Sequence, residues 1–341
     1  MKILFITHKY YPDIGGIEIN SEVLAIGFHN AGHEVRMVTW TENIGEKTFP
    51  FTIIRKPGTA VLFKEHRNAN IIFENNPSLR LSWPAIFFNK PIVIALCTWV
   101  NRRENGLAWQ DRLKQSWLKR ANVIIAVSEA VQKRNWPPAV VISNPYRDDL
   151  FRVLPNTNRN RDFVFMGRLV PDKGADIAIK ALAKLVDQNT FYTLTIIGSG
   201  PQEQQLKELV QQLGVSDQVN FTGALRGEAL VSCLNEHKYM LVPSTWEEPF
   251  GNVALEGMAC GCLPIVSDGG GLPDAVGKAG LVVERGNANA LATSIKNLLN
   301  NAELERKLRN EAPAHLDVHL PGVITSKYLS ILETAAAQDK S

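Results

Sequence analysis

The sequence predicts an α/β fold, built as two doubly wound parallel-sheet domains that face one another across a cleft, and three observations carry that expectation. Short Val- and Ile-rich runs alternate with segments of helical period along the whole chain, the pattern of parallel strands joined by helical crossovers. At 341 residues the chain is long enough for two domains of ordinary size. Between two such blocks lies Arg152–Asp162, a polar, aperiodic stretch that reads as a linker and sets the expected boundary between residues 1–155 and 156–321.

In the first block the expected strands are Lys2–Thr7, Val35–Trp40, Thr52–Arg55, Asn70–Phe73, Pro91–Leu96, Val123–Val127 and Val140–Ser143, with a helix at Ser21–Ala31 closed by Gly32. In the second they are Phe163–Gly167, Thr193–Gly198, Val219–Thr222, Tyr239–Val242, Leu263–Ser267 and Leu281–Val283. Ala175–Val186 and Glu203–Leu213 each carry an apolar stripe at helical spacing, which needs a sheet to cover. Gly322–Ala337, after Pro321, has two possible places: the last helix of the second domain, or a helix of residues 322–337 that returns to complete the first.

Apolar residues make up 45% and charged residues 21% of the chain, the composition of a globular protein and not of a disordered or collagen-like one. The opening MKILFITHKYYP is too briefly apolar for a signal peptide and reads as a first strand. Ala85–Val100 is interrupted by Asn89, Lys90 and Pro91, well short of the roughly 20 apolar residues a membrane-spanning helix needs. Cys97, Cys233, Cys260 and Cys262 form no CxxC pair, so they read as reduced thiols of a cytoplasmic protein, with neither disulfide framework nor zinc site. The net charge of +3 is uneven: residues 1–155 hold 20 Lys and Arg against 13 Asp and Glu, and residues 156–341 hold 17 against 21. The first half is thus expected to meet an anionic ligand or surface. Nothing suggests a nucleic-acid partner.

In a doubly wound sheet ligands sit beyond the carboxyl ends of the strands, so the loops after strands are the informative ones. GRLVPDKG, residues 167–174, puts Arg168 and Lys173 at one strand exit, where both suit phosphate oxygens. A solvated basic loop is the competing reading. In residues 243–264, PSTWEEPFGNVALEGMACGCLP, Glu248 and Glu256 stand eight apart, and Pro249–Gly251 release the chain into a helix near Asn252. The first N–H groups of that helix, at Gly251, Asn252 and Val253, would offer an anion the positive end of the dipole. Glu256, one turn inside, would repel phosphate but could accept both hydroxyls of a vicinal diol, as in ribose; Glu248 could meet a second hydroxylated ring. Two glutamates that merely cap a turn and pair with a surface cation are the alternative.

Together with Gly15-Gly16, Ser128 in VIIAVSEAV, Asn144 in VISNP, IIGSGP and VNFTG, these segments resemble the retaining, nucleotide-sugar-dependent glycosyltransferases of family 4, whose fold is GT-B, two Rossmann-like domains. The resemblance runs from residue 5 to about 283. It implies that Arg168 and Lys173 hold the diphosphate and stabilise the departing charge, that Glu256 binds ribose, and that Glu248 approaches the donor sugar, helped by N–H groups of Phe250, Gly251, Asn252 and Val253. It places Gly15 and Gly16 beside the donor phosphates and the base near Ala224 and Leu225. It implies a UDP-hexose donor, a saccharide or lipid-linked acceptor of bacterial glycoconjugate synthesis, and no cofactor. No D-x-D occurs, so no metal is expected.

The chain departs from the family at Cys97 and Thr98, where relatives often carry a His that contacts the sugar or acceptor; His8 is a possible substitute. Asp274 stands where relatives usually have Glu. Trp99–Asn122 interleaves Arg102, Arg103, Arg112, Lys114, Lys119 and Arg120 with Trp99, Leu107, Trp109, Leu113 and Trp117. Residues 99–120 could rest on an anionic membrane, at its inner face, or form a helix whose aromatic side is core. Among rival functions, a nicotinamide-dependent oxidoreductase lacks its G-x-G-x-x-G fingerprint here. A non-catalytic nucleotide-sugar-binding protein stays open, and so, less strongly, does a nucleotide-sugar epimerase.

Overall fold

The computed structural model describes residues 1–13, 15–100, 109–185 and 191–338. Among them, thirteen strands form two all-parallel sheets. The first sheet contains β1 (Lys2–Thr7), β2 (Glu34–Thr39), β3 (Thr52–Arg55), β4 (Ile71–Asn75), β5 (Ile92–Leu96), β6 (Val123–Ala126) and β7 (Val140–Val141), in the order β3-β2-β1-β4-β5-β6-β7. The second contains β8 (Arg161–Met166), β9 (Leu194–Ile197), β10 (Val219–Gly223), β11 (His237–Val242), β12 (Leu263–Ser267) and β13 (Leu281–Val283), in the order β10-β9-β8-β11-β12-β13. Both run outward from the first strand and then reverse, the doubly wound arrangement in which loops after the first and fourth strands flank the switch point.

The strand interiors are mostly apolar because helices cover both faces. In β8, Phe163 and Phe165 face one core with Leu194, Ile196 and Ile265, while Val164 faces the other with Met240, Val242 and Val266. In register, Phe5 of β1 pairs with Met37 of β2 and Phe73 of β4. The expected strands recur within a few residues. The helix after β1 starts earlier than the sequence indicated, at Gly16, and runs to Asn30, since residues 17–20 add a first turn that the periodic pattern alone did not require.

The chain divides into two compact units, one of residues 1–145 with 321–341 and one of residues 146–320. The division therefore falls ten residues before the expected boundary at 155/156. Phe151 is buried in the second core. Asn235 accepts the Leu154 N–H at 2.8 Å and donates to the Arg152 carbonyl at 2.9 Å. Arg159 donates to the carbonyls of His237 and Cys260, at 3.0 and 2.6 Å. A stretch polar enough to be a linker is instead stitched down by an amide and a guanidinium. The helix Pro321–Gln338 packs on the helix Gly16–Asn30 and on β4 and β5, with Tyr328 edge-on to Phe73 at 5.7 Å between ring centroids.

The basic aromatic segment divides between the two readings. Arg102, Arg103, Glu104 and Leu107 lie outside the described residues. A helix spans Trp109–Leu118; Trp99, Trp117 and Leu118 are buried, whereas Trp109 is 69% and Leu113 50% exposed. No helix among the described residues is long and apolar enough to cross a membrane.

Candidate functional site

The switch point of the second sheet lies between β8 and β11, and the two loops leaving it are locked together. After β8, a short turn Pro171–Lys173 ends at Gly174, whose φ of 74° is left-handed; a Cβ there would stand 2.1 Å from the Pro243 carbonyl oxygen. Glycine is required by both torsion and space. The Asp172 carbonyl accepts N–H bonds from Thr245 and Trp246, at 3.0 and 3.2 Å, and the Thr245 hydroxyl donates to the Pro171 carbonyl at 3.2 Å. These bonds hold Lys173 beside the segment that carries Glu248.

Lys173 Nζ donates to Glu248 Oε1 at 2.5 Å, and the Ser244 hydroxyl donates to the same oxygen at 2.9 Å. Ser244 is fixed in turn, because its carbonyl accepts from the Ser267 hydroxyl at the end of β12, 2.8 Å away. Lys173 and Glu248, expected to have separate tasks, are joined in one ion pair. An ammonium has three donors, so this pair leaves two for a ligand, and Glu248 Oε2 keeps its acceptor capacity. Arg168, on the same loop as Lys173, is exposed and makes no ion pair among the described residues. Glu248 also pairs its backbone with Gly270, the Gly271 N–H donating to the Glu248 carbonyl at 2.7 Å, which anchors the loop to the exit of β12.

Beyond Glu248, Phe250 is buried and Gly251 takes a φ of 116°, turning the chain into the helix Asn252–Ala259. A Cβ on Gly251 would come within 2.4 Å of Leu272. Gly251 offers no side chain to cap the helix, and the N–H groups of its first turn point out along the positive end of the helix dipole. Glu256 is one turn further on. Its carboxylate makes no hydrogen bond among the described residues, and burial pushes its pKa up to about 7, with the positive charge of Arg147 acting in the opposite sense. A half-buried carboxylate without a protein hydrogen bond has lone pairs to offer hydroxyl donors.

Arg168, Lys173, Glu248, Phe250, Gly251, Asn252, Val253 and Glu256 thus all belong to the loops and helix that leave β8 and β11. Ala224 and Leu225 follow β10, at the outer edge of the same sheet, with Ala224 exposed and Leu225 packed against the core. Gly15 and Gly16 belong to the other unit, where Gly15 precedes the helix Gly16–Asn30 with extended backbone. Sequence reasoning missed Ser244 and Ser267, which position Glu248, and Arg147, which tempers Glu256. Ser244 four residues before Glu248 was the available signal. Asp274 lies in the short helix Leu272–Val276. Cys260 and Cys262 are buried, and burial pushes both thiols up to about 12, so they are packing groups and not nucleophiles. Among the described residues no cluster of three or more His, Cys, Asp or Glu side chains is arranged to hold a metal.

Residues 147–315 match the family of glycosyl transferases, group 1. The match lies within the second unit and includes each of the paired and unpaired charges described above. Among curated proteins, the 2-deoxystreptamine glucosyltransferase of Streptomyces kanamyceticus is 34% identical over 140 residues, 40% of this chain and 36% of that relative. The D-inositol 3-phosphate glycosyltransferase of Corynebacterium jeikeium is 33% identical over 166 residues, 46% of this chain and 39% of that relative. The chain matches well under half the length of these two relatives.

Among solved structures, HepE of Anabaena, crystallised with UDP and glucose, superposes with a TM-score of 0.79 at 20% identity, over 98% of this chain and 100% of that one. Sucrose-phosphate synthase of Thermosynechococcus elongatus gives 0.78 at 22% identity, over 99% of both chains. These likenesses show the fold, which is GT-B: two Rossmann-like parallel-sheet domains. The match over residues 147–315 is to the broad group of glycosyl transferases and not to family 4 in particular.

Proposed function

We propose that the protein is a retaining glycosyltransferase of the family 4 type, moving a hexosyl group from a UDP-sugar to a saccharide or lipid-linked saccharide. The observation that carries this reading is the Lys173–Glu248 pair at the switch point, beside an uncapped helix start and an unsatisfied Glu256. Cations and helix N–H groups suit a diphosphate; Glu256, which would repel phosphate, suits the ribose diol; Glu248, held by Lys173 and Ser244, suits a hydroxyl of the donor sugar. The relatives support it: two are glycosyltransferases by name, and HepE was crystallised with UDP and glucose.

In this reading the acceptor oxygen attacks C1 on the face that the diphosphate leaves. The C1–O bond breaks with its electron pair going to UDP, where Arg168, Lys173 and the helix start meet the growing charge. The departing phosphate oxygen takes the acceptor proton, so no protein base is needed, and no metal or cofactor takes part; the uracil of the donor would lie near Ala224 and Leu225. Gly15 and Gly16 are further donor-binding candidates, since a stretch without side chains would let backbone approach a phosphate. Residues 99–120, with exposed Trp109 and Leu113, would bring the enzyme to an anionic membrane at the cytoplasmic face, where lipid-linked acceptors reside.

A thermal-shift panel with UDP, GDP, ADP and NAD, followed by UDP-glucose turnover, tests the assignment. Stabilisation by UDP and release of UDP from UDP-glucose are expected, both impaired in the Arg168→Ala/Lys173→Ala double variant. Stabilisation by NAD alone would overturn it; UDP binding without turnover would favour a non-catalytic sugar-nucleotide receptor.

A further inference from the structure

The first sheet has its own switch point, between β1 and β4, and the loops there are tied together as closely as those of the second. The His8 carbonyl, just after β1, accepts the Trp40 N–H at 3.0 Å and the Thr39 hydroxyl at 3.2 Å, both from the end of β2. After β4, Ser78 approaches the His8 ring, its Oγ 3.5 Å from Nδ1. Two residues on, the Arg80 guanidinium lies 3.4 Å from the centre of the Trp40 ring. Three strand exits therefore converge on one rim.

The loop that carries Ser78 and Arg80 is held from beneath. Glu74, the fourth residue of β4, is fully buried; its carboxylate accepts the Ser78 N–H at 3.1 Å and the Trp117 indole N–H at 2.8 Å. Asn76 takes a left-handed φ of 73°, so the turn is tightly defined. Above this anchor Arg80 is exposed and has no carboxylate partner among the described residues, and Lys9, next to His8 in the chain, is exposed too. Two carboxylates of the same edge are already engaged, Glu74 as above and Asp13 by the Thr41 hydroxyl at 2.8 Å. Burial, then the charges of Arg80 and Lys9, hold the His8 imidazole below its usual range, uncharged at neutral pH. A guanidinium stacked on an indole is fixed in plane with its N–H edges outward, the arrangement that takes an anion in two-point fashion.

We infer that this rim is an anion-binding subsite for a phosphate-bearing acceptor saccharide, with Arg80 on the phosphate, Lys9 and His8 near it, and Trp40 holding Arg80 in place. Two cations and an imidazole offer more donors than a carboxylate's two oxygens require, which favours phosphate. The inference gives the acceptor of the proposed transfer its chemical class and so rests on that reading.

The test is titration of the full-length protein with glucose 6-phosphate and with glucose, with and without saturating UDP. Charge-assisted bonds of this kind are worth about 10- to 100-fold in affinity. Glucose 6-phosphate should bind that much more tightly than glucose, and Arg80→Ala should abolish the preference while the UDP-induced thermal shift stays unchanged. Lys9→Glu, at a separate exposed position, should weaken the same preference, so the result does not hang on one variant. Equal binding of both sugars, or a preference undiminished in Arg80→Ala, overturns the subsite. Failure of UDP to stabilise the protein would instead count against the donor site, since the titration without UDP reads the rim by itself. Retention on phosphatidylglycerol vesicles that Arg80→Ala leaves intact, with no preference for glucose 6-phosphate, would assign the charge to a lipid surface and overturn the subsite as well.

Discussion

At the break in strand order of the second sheet, the exits of β8 and β11 carry Lys173 paired with Glu248 and, close by, an unsatisfied Glu256. At the same break in the first sheet, the interior is uncharged apart from Glu74. Asn75 donates to Ser21 at 2.7 Å and accepts from the Cys97 thiol at 3.0 Å, Ser21 donates to Thr7 at 3.2 Å, and Asn20 donates to Asn144 at 3.2 Å. The charges there, Arg80 and Lys9, sit on the rim in solvent. One topology thus supplies the same address twice, and the loops decide what is done there. Half-buried ions suit a charge that moves during a reaction; a neutral network under rim cations suits a ligand that must be held without being altered.

The sharpest way to break this contrast is Lys173→Ala. Loss of the cation that meets the leaving diphosphate should lower kcat with UDP-glucose by about 10²–10³, whereas Arg80→Ala should spare UDP release in the absence of a phosphorylated acceptor. Steady-state kinetics checks both; comparable losses would mean that the two edges do not divide the labour.

The next largest effect is expected on stability, from Glu74→Ala in the other unit. It would leave the Ser78 and Trp117 N–H groups buried without an acceptor, at a cost of about 2–5 kcal/mol in urea unfolding. Trp117→Phe, which removes only one donor, should cost less.

Glu256 gives a pH-dependent comparison. Its folded pKa is raised, so its contribution to stability is fully present at pH below about 4.5 and is lost as the pH rises through about 7, where the buried carboxyl must ionise. Glu256→Gln should therefore match the wild type in acid and exceed it by about 1–3 kcal/mol at pH 8. The same ionisation should strengthen UDP binding as the pH rises through 7 in the wild type alone. Calorimetry at several pH values reads both slopes.

The smallest effect concerns Cys97, where burial pushes the thiol up to about 12. It should resist iodoacetamide at pH 8 until the protein is unfolded, and Cys97→Ser should change stability by about 1 kcal/mol or less, because a hydroxyl can replace the bond to Asn75.

Much of this was legible in the residues. Parallel strands buried on both faces must be runs of Val, Ile, Leu and Phe bounded by breakers, so β1, β3, β12 and β13 were placed to the residue. The helix start at Asn252 was legible because Pro249 and Gly251 have few other uses in sequence. The boundary was not, since a polar stretch looks alike whether it crosses solvent or is bonded to Asn235 and Arg159. Nor was the Lys173–Glu248 pair, whose members stand 75 positions apart and meet only because β8 and β11 are neighbours. The Arg80–Trp40 stack was hidden for the same reason: no local pattern links residues on different strand exits.

Because the helix Pro321–Gln338 covers β4 and β5, the unit of residues 1–145 is finished by a piece made after residues 146–320. On the ribosome, residues 146–320 can reach their native state while the sheet made before them still waits for its cover, with the Phe73 side that Tyr328 will occupy exposed to chaperones. Order of birth and order of completion are thereby inverted, and a nascent chain halted before residue 321 would hold a folded second half tethered to an unfinished first.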